Sequence, residues 1–292
     1  MAVTASRSYP VQPSSDLAKK IWERLRRRKA GLFALIMILL QIVLALVAPL
    51  IMPYDPLKGD YASVLQPPSG QYLLGTDDLG RDVLSRLILG SRVSIAVGIF
   101  SQLTIVLIGI PVGALSGLVG GWVDYLIMRL IDVLSSLPSL LLYILLMIVL
   151  GAGMWNIILA MSLTGWIGIA RLVRGQVLSL KATDYVRAAR AMGGNTWWGI
   201  TRHLLRNSLS PVIVALTLGV PGAMFAEAGL SLLGLGIAPP TPSWGQMIGD
   251  GTRYFRTNWY LITFPSLILT FTILFWMMLG EALQEALDPR GS

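Results

Sequence analysis

The sequence predicts an all-α, polytopic membrane protein with six transmembrane helices. Three observations lead there. Of its 292 residues, 54% are hydrophobic and 13% are charged, whereas a soluble domain carries roughly a quarter charged residues. Six apolar stretches, at 31–52, 93–119, 126–150, 155–170, 209–235 and 260–279, approach the ~20 residues that cross about 30 Å of hydrocarbon. None alternates like a barrel strand, and an open strand would leave its backbone groups unpaired in lipid, so the spans are helical.

The chain has no cysteine and one histidine, His203, so a disulfide framework, a thiolate zinc site, a cysteine nucleophile and a paired-histidine metal site are all excluded. Its net charge of +8 is read as membrane orientation rather than as nucleic-acid binding. With the N-terminus in the cytoplasm, 17 of the 23 Lys and Arg fall on inside segments and 6 on outside loops. Six spans then return the C-terminus to the cytoplasm.

Residues 1–30 are a cytoplasmic tail ending in the basic run Arg24-Leu-Arg-Arg-Arg-Lys29. Leu17, Ile21 and Leu25 share a helical face with Trp22 beside them, while Lys19, Lys20, Arg24, Arg26 and Arg27 occupy the rest. That pattern fits a basic amphipathic helix on an anionic membrane surface; a disordered segment over 1–14 with a plain positive-inside signal fits it too. The apolar run that follows exceeds a signal core and lacks a small-residue cleavage site, so 31–52 is a retained first span.

Residues 53–92 form an external loop, long enough to carry structure or function of its own. Two prolines in Pro53-Tyr-Asp-Pro56 stop the first helix. In Gly75-Thr-Asp-Asp-Leu-Gly-Arg-Asp82, Thr76 or Asp77 is the candidate N-cap of a short interfacial helix whose apolar face is Leu79, Val83 and Leu87. The acidic cluster either caps that helix or meets a partner. Residues 93–282 hold the other five spans, with a cytoplasmic segment at 181–207, and 283–292 end the chain in the cytoplasm. A second external loop, 236–245, is stiffened by three prolines and places Trp244 at the membrane interface.

Two carboxylates lie within spans, where burial of charge in lipid is costly. Asp132 follows Arg129 by three residues, so an ion pair on one helix face competes with a role along a translocation path. Glu227 either faces such a path or hydrogen-bonds a neighbouring helix. Pro111, Pro138, Pro221 and Pro265 each interrupt one span.

The polar segment at 181–207 reads as a docking element. Thr183 or Asp184 is placed to cap a helix of about ten residues that Gly193 and Gly194 end. Tyr185, Ala188, Ala189 and Met192 recur at helical spacing to make a face of low relief, while Asp184, Arg187 and Arg190 project elsewhere. Asn195 caps a second helix running through Trp197 to Leu205.

The pattern Arg187-Ala-Ala-x3-Gly193-x9-His-x-Leu-Arg206 is similar to the Glu-Ala-Ala-x3-Gly-x9-Ile-x-Leu-Pro motif of prokaryotic ABC importer permeases. Ala188, Ala189, Gly193 and Leu205 match; Arg187, His203 and Arg206 depart from it. The resemblance extends over nearly the whole chain from about residue 28. It includes Pro53-Tyr-Asp-Pro56, the Gly75–Asp82 stretch, Glu227-Ala-Gly-Leu-Ser-Leu-Leu-Gly-Leu-Gly236, Pro240-Thr-Pro-Ser-Trp-Gly245 and the terminal Ala-Leu-Asp-Pro-Arg290. These resemble the C-type permease of dipeptide, oligopeptide and nickel importers.

That resemblance implies the type I importer (MetI-like) fold and a transport subunit rather than an enzyme. It implies a homologous B-type permease, two cytoplasmic ATPases that carry ATP and magnesium, and an external solute-binding protein. Asp184, Tyr185, Arg187, Ala188, Ala189, Met192 and Gly193 would couple to the ATPase. Asp77, Asp78, Arg81, Asp82 and Trp244 would be contacts for the binding protein, and Asp132 and Glu227 candidates for the path. No Gly-x4-Gly-Lys-Ser/Thr phosphate loop occurs in the chain, so this polypeptide is expected to hold no cofactor itself. A secondary transporter or channel would instead predict more intramembrane carboxylates and paired broken helices in two related halves.

Overall fold

A computed structural model of the chain describes residues 14–184, 186 and 196–287, with the side chains at 14–20 and 196–209 left aside. Among the described residues the secondary structure is helical apart from turns and one isolated bridge between Thr76 and Asp82. In chain order the helices are α1 (Ser14–Arg27), α2 (Lys29–Ile51), α3 (Val83–Val119), α4 (Gly121–Ser135), α5 (Ser139–Leu150), α6 (Met154–Lys181), α7 (Thr196–Leu232), α8 (Trp244–Gly251) and α9 (Tyr260–Leu287).

Five helices are individually long and apolar enough to cross a membrane: α2, α3, α6, α9 and the Ser210–Leu232 part of α7. The expected third span at 126–150 is not one helix. It is broken into α4 and α5, which meet at 84° and supply a sixth crossing if the pair spans as one. Pro138 is the cause: it has no N–H to continue the ladder and it restricts Leu137 before it. The Pro138 carbonyl then accepts from Leu141 and Leu142 to start α5. Pro111, Pro211, Pro221 and Pro265 all sit inside continuous helices instead.

The fourth span is longer than its apolar run at 155–170 because α6 continues for 28 residues to Lys181. Its basic residues do not end the helix, since each finds an acceptor on a neighbouring element, as described below. The interfacial helix expected in the 53–92 loop is also absent as a separate element. Asp82, not Thr76 or Asp77, is the N-cap, accepting from the Ser85 amide at 2.8 Å. From there α3 runs unbroken for 37 residues to Gly120, whose φ of +70° ends it.

The centre of the bundle is α3 against α6. Gly109, Gly113 and Gly117 fall on one stripe of α3, and the backbone of α6 lies directly on it. A Cβ on Gly109 would come within 2.7 Å of Ile169 Cβ, and one on Gly113 would collide with the Ala170 carbonyl oxygen. Small residues at four-residue spacing are what permit such close helix approach in a bilayer, where packing replaces the hydrophobic effect as the driving force. By contrast only 22% of the apolar window of α2 is buried, against 56% for α6, so α2 lies at the margin. It packs on α9 and α3.

The N-terminal helix α1 docks on the cytoplasmic end of α9 rather than standing alone. Leu25 is buried there, Arg24 donates to the Ala286 carbonyl at 3.0 Å, and Arg28 pairs with Glu285. Cations at a helix C-terminus complement its dipole and its free carbonyls.

Candidate functional site

The external cap is built on one carboxylate. Asp77 Oδ1 accepts from the amides of Leu79 (3.0 Å) and Arg81 (2.9 Å), closing a tight turn, while Oδ2 accepts from Arg81 Nε at 2.7 Å and lies 3.3 Å from Arg86 Nε. The turn needs Gly80 at φ +72°, and a side chain there would strike the Asp60 backbone. Arg86 is 2% exposed and reaches the Pro56 carbonyl, tying the loop to the first turn of α3. Asp82 and Ser85 continue the knot, with the Tyr54 amide donating to Ser85 Oγ at 3.1 Å. Tyr260, the first residue of α9, donates from its hydroxyl to the Gln66 carbonyl at 2.9 Å.

Asp77, Asp78, Arg86, Asp250 and Tyr254 line a cavity of about 20 Å³, room for roughly one water. Burial pushes the Asp250 carboxyl above its ordinary value, and Arg86 nearby opposes that shift.

The short helix α8 dips back toward the bundle. Its N-cap Ser243 is fully buried, the Trp244 amide donates to Ser94 Oγ at 3.0 Å, and Trp244 Nε1 donates to the Leu87 carbonyl at 3.0 Å. Ser94 stands eleven residues into α3, about 16 Å below its external end. Glu227 anchors this arrangement from α7. Its Oε1 accepts from Ser231 Oγ (2.8 Å) and Ser243 Oγ (2.7 Å), and Ser243 Oγ in turn accepts from the Gln246 amide at 3.0 Å. Oε2 is buried with no partner among the described residues.

These placements correct the sequence reading at several positions. Trp244 is fully buried rather than at the membrane interface, because its indole N–H and amide both find acceptors on α3. Asp77, Arg81 and Asp82 are buried as well: Asp77 and Arg81 pair with one another, and Asp82 Oδ2 accepts from the Ser85 amide and hydroxyl while its Oδ1 has no partner among the described residues; Asp78 keeps about a third of its side chain exposed. Glu227 is fully buried between α7 and α8 and makes the hydrogen bonds to a neighbouring element that one of its two expected roles requires.

At the cytoplasmic end, Asp132 pairs with Arg171 of α6 at 3.2 Å and not with Arg129, and both partners are about half exposed. A more buried pair went unnoticed in the sequence. Asp124, in the first turn of α4, receives both Arg174 Nε and Nη2 at 2.6 Å and is also bonded by Ser116. Lys181 Nζ donates to the Leu118 carbonyl at 2.5 Å. An acidic residue three positions after Gly121 and basic residues spaced along α6 were the available signal, but only the α3–α6 approach brings them together.

The docking segment begins where these pairs end. Thr183 Oγ1 donates back to the Leu180 carbonyl at 2.6 Å at the end of α6, and the amides that Thr183 or Asp184 would cap lie outside the described residues. Asp184 is exposed, and Val186 is buried with Val177, Leu180 and Val212, which pins the start of the segment to α6 and α7. Tyr185, Arg187, Ala188, Ala189, Met192 and Gly193 lie outside the described residues.

A helical bundle with a broken span, an external helix folded back between its neighbours and a polar segment held at the cytoplasmic ends of two long helices has the design of a transporter's membrane subunit. Comparison with known proteins agrees. Residues 109–291 match the binding-protein-dependent transport system inner membrane component, and residues 17–68 match the N-terminal transmembrane domain of oligopeptide transport permease C. The dipeptide transport system permease protein of Bacillus subtilis is 41% identical over 280 residues, covering 96% of this chain and 88% of that relative. The oligopeptide permease of the same organism is 41% identical over 277 residues, covering 95% and 91%. The glutathione transport system permease protein of Pectobacterium atrosepticum is 39% identical over 273 residues, covering 93% and 91%. Among solved structures, the inward-facing MetNI methionine ABC transporter aligns with a TM-score of 0.58 at 20% identity, covering 70% of this chain and 97% of that one.

The chain therefore belongs to the family of binding-protein-dependent inner-membrane transport components. Within it, the chain is a C-type ABC importer permease.

Proposed function

We propose that this chain moves peptides across the inner membrane as one half of an ATP-driven, alternating-access pathway. The observation that carries the reading is full-length similarity at 39–41% identity to permeases whose names specify dipeptides, oligopeptides and glutathione. In this reading a homologous B-type permease completes the pathway and an external binding protein delivers the cargo. Two cytoplasmic ATPases bind ATP and magnesium, and one of them receives the segment at 181–207.

The architecture supports a mechanical division of labour. Val186 fixes the start of the docking segment to α6 and α7, and the Asp124–Arg174 pair ties α6 to α4, so force applied there reaches the centre of the bundle through the glycine-packed α3–α6 pair. At the other end, Glu227 and Trp244 fix α8 between α7 and α3, so movement of those helices moves the external cap. Asp132, half exposed, remains a path candidate. Asp78 is the acidic residue of the cap best placed to meet the binding protein, since Asp77 and Asp82 are buried.

The test is Ala189→Trp, which adds bulk to the low-relief docking face. Dipeptide uptake driven by ATP in proteoliposomes, with binding protein supplied, should fall to background. Co-purification of the ATPases should be lost while the permease pair still inserts. Undiminished uptake with normal co-purification would remove the docking assignment.

A further inference from the structure

We propose that the groove between α2, α3 and α9 binds a phospholipid of the external leaflet, with one acyl chain in the groove and the phosphate on Arg92. The groove encloses about 700 Å³ and is lined by apolar side chains, among them Leu44, Ile51, Ile88, Phe271 and Phe275. Along α2 it runs from Ile51 to Gln41. Ten residues at 1.5 Å each make about 15 Å, half of the ~30 Å hydrocarbon thickness. Its depth is thus that of one leaflet. At its inner end Gln41 Nε2 donates to Thr272 Oγ1 at 2.9 Å, joining α2 to α9 and closing the floor.

Water does not fill a space with such walls, and an empty one forfeits dispersion contacts on every side. Because α2 is the least buried of the candidate spans, lipid chains have direct access to its flank.

The second half of the site is a charge. Arg92 is exposed on α3 and makes no hydrogen bond or ion pair among the described residues. The Tyr54 amide bonds to Ser85, which sets the external end of α2 level with Ser85. Arg92 lies seven residues further on, about 10 Å into the hydrocarbon. A guanidinium at that depth is costly unless it meets an anion or rises to the interface. In a helix the Cα–Cβ bond tilts toward the N-terminus, and the N-terminus of α3 is external, so the side chain is directed up toward the headgroups. Arg92 follows Ser91 and stands one turn from Ile88, both of which line the groove. A phosphate matches the planar guanidinium fork, and the chain below it has a groove of its own length.

The test uses the transporter assembled with its partner subunits in nanodiscs of phosphatidylethanolamine and phosphatidylglycerol. The probe is phosphatidylglycerol carrying a diazirine midway along one acyl chain. Irradiation, with the labelled residues located by fragment-ion sequencing, should mark Leu44 and Phe271 in preference to Leu39 and Leu46 on the outer face of α2. Arg92→Ala should reduce that label about tenfold, the factor expected for losing a charge-assisted hydrogen bond, and Arg92→Lys should restore part of it. Phe271→Trp narrows the groove at one wall while leaving Arg92 in place and should also reduce the label, which decides the matter if Arg92→Ala fails to assemble. Equal labelling on all faces of α2, an unchanged yield in both variants, or crosslinks from the groove to the partner permease in place of lipid would overturn the proposal.

Discussion

At the scale of single residues, the external knot is organised around which group is left without a partner. Arg86 is 2% exposed and its charge is balanced by Asp77. Removing one member of a buried pair costs about 3–5 kcal/mol because the other remains charged and unpaired, whereas replacing both is often neutral. Asp77→Ala is therefore expected to lower the thermal midpoint of the purified, assembled transporter strongly. The double variant Asp77→Ala with Arg86→Met should recover only part of the loss, because Arg81 and the Leu79 and Arg81 amides still lack the Asp77 carboxylate. A wild-type midpoint for the single variant would mean that Arg86 is satisfied by other means. Glu227 follows the same logic with neutral donors, holding Ser231 and Ser243 so that α8 stays seated. The sequence marked Asp77, Asp82, Glu227 and Trp244 as unusual, but it could not assign their roles. An aspartate before a helix and an aspartate inside a turn look alike in a sequence; the amides within reach of the carboxylate distinguish them.

At the scale of elements, the α3–α6 contact rests on Gly109, Gly113 and Gly117. Gly113→Val should force the helices apart, at about 1–3 kcal/mol for overpacking. Gly168→Ala on α6 is the control, since nothing lies within 4 Å of a Cβ added there. Protease resistance of the solubilised protein is the measurement: early cleavage for Gly113→Val and a wild-type pattern for Gly168→Ala are expected, and matching patterns would discount the stripe. Spans were legible from apolar runs, because a helix in lipid is chosen by backbone satisfaction alone. Their ends were not. α6 extends past its apolar run since Arg171, Arg174 and Lys181 are met by Asp132, Asp124 and the Leu118 carbonyl. Likewise a proline inside an apolar run does not announce whether it bends a helix or breaks it. Pro265 sits within a continuous helix and Pro138 separates two at 84°.

At the scale of the whole molecule, orientation is the assignment that arranges everything else. The chain has no cysteine, so single cysteines are clean reporters. A membrane-impermeant maleimide should label Gln71→Cys in intact cells and Asp184→Cys only after the membrane is opened; the reverse pattern would invert the topology. The charge bias that sets this orientation gains support from the structure, because two of the external basic residues, Arg81 and Arg86, are buried against Asp77 and present little charge to the external side.

The sequence by itself determined the membrane class, the number of apolar stretches and the kinship with importer permeases, and it predicts the sidedness. Those follow from hydropathy, charge bias and motif spacing, all of which are properties of order along the chain. Only the tertiary structure decided that α8 folds back beneath the external surface, that Glu227 and Trp244 are buried anchors, and that Asp124 meets Arg174 across 50 residues. The physical reason is the same in each case. Burying a polar group in a bilayer requires a partner, and the partner is supplied by whichever helix comes alongside, which separation along the chain does not encode.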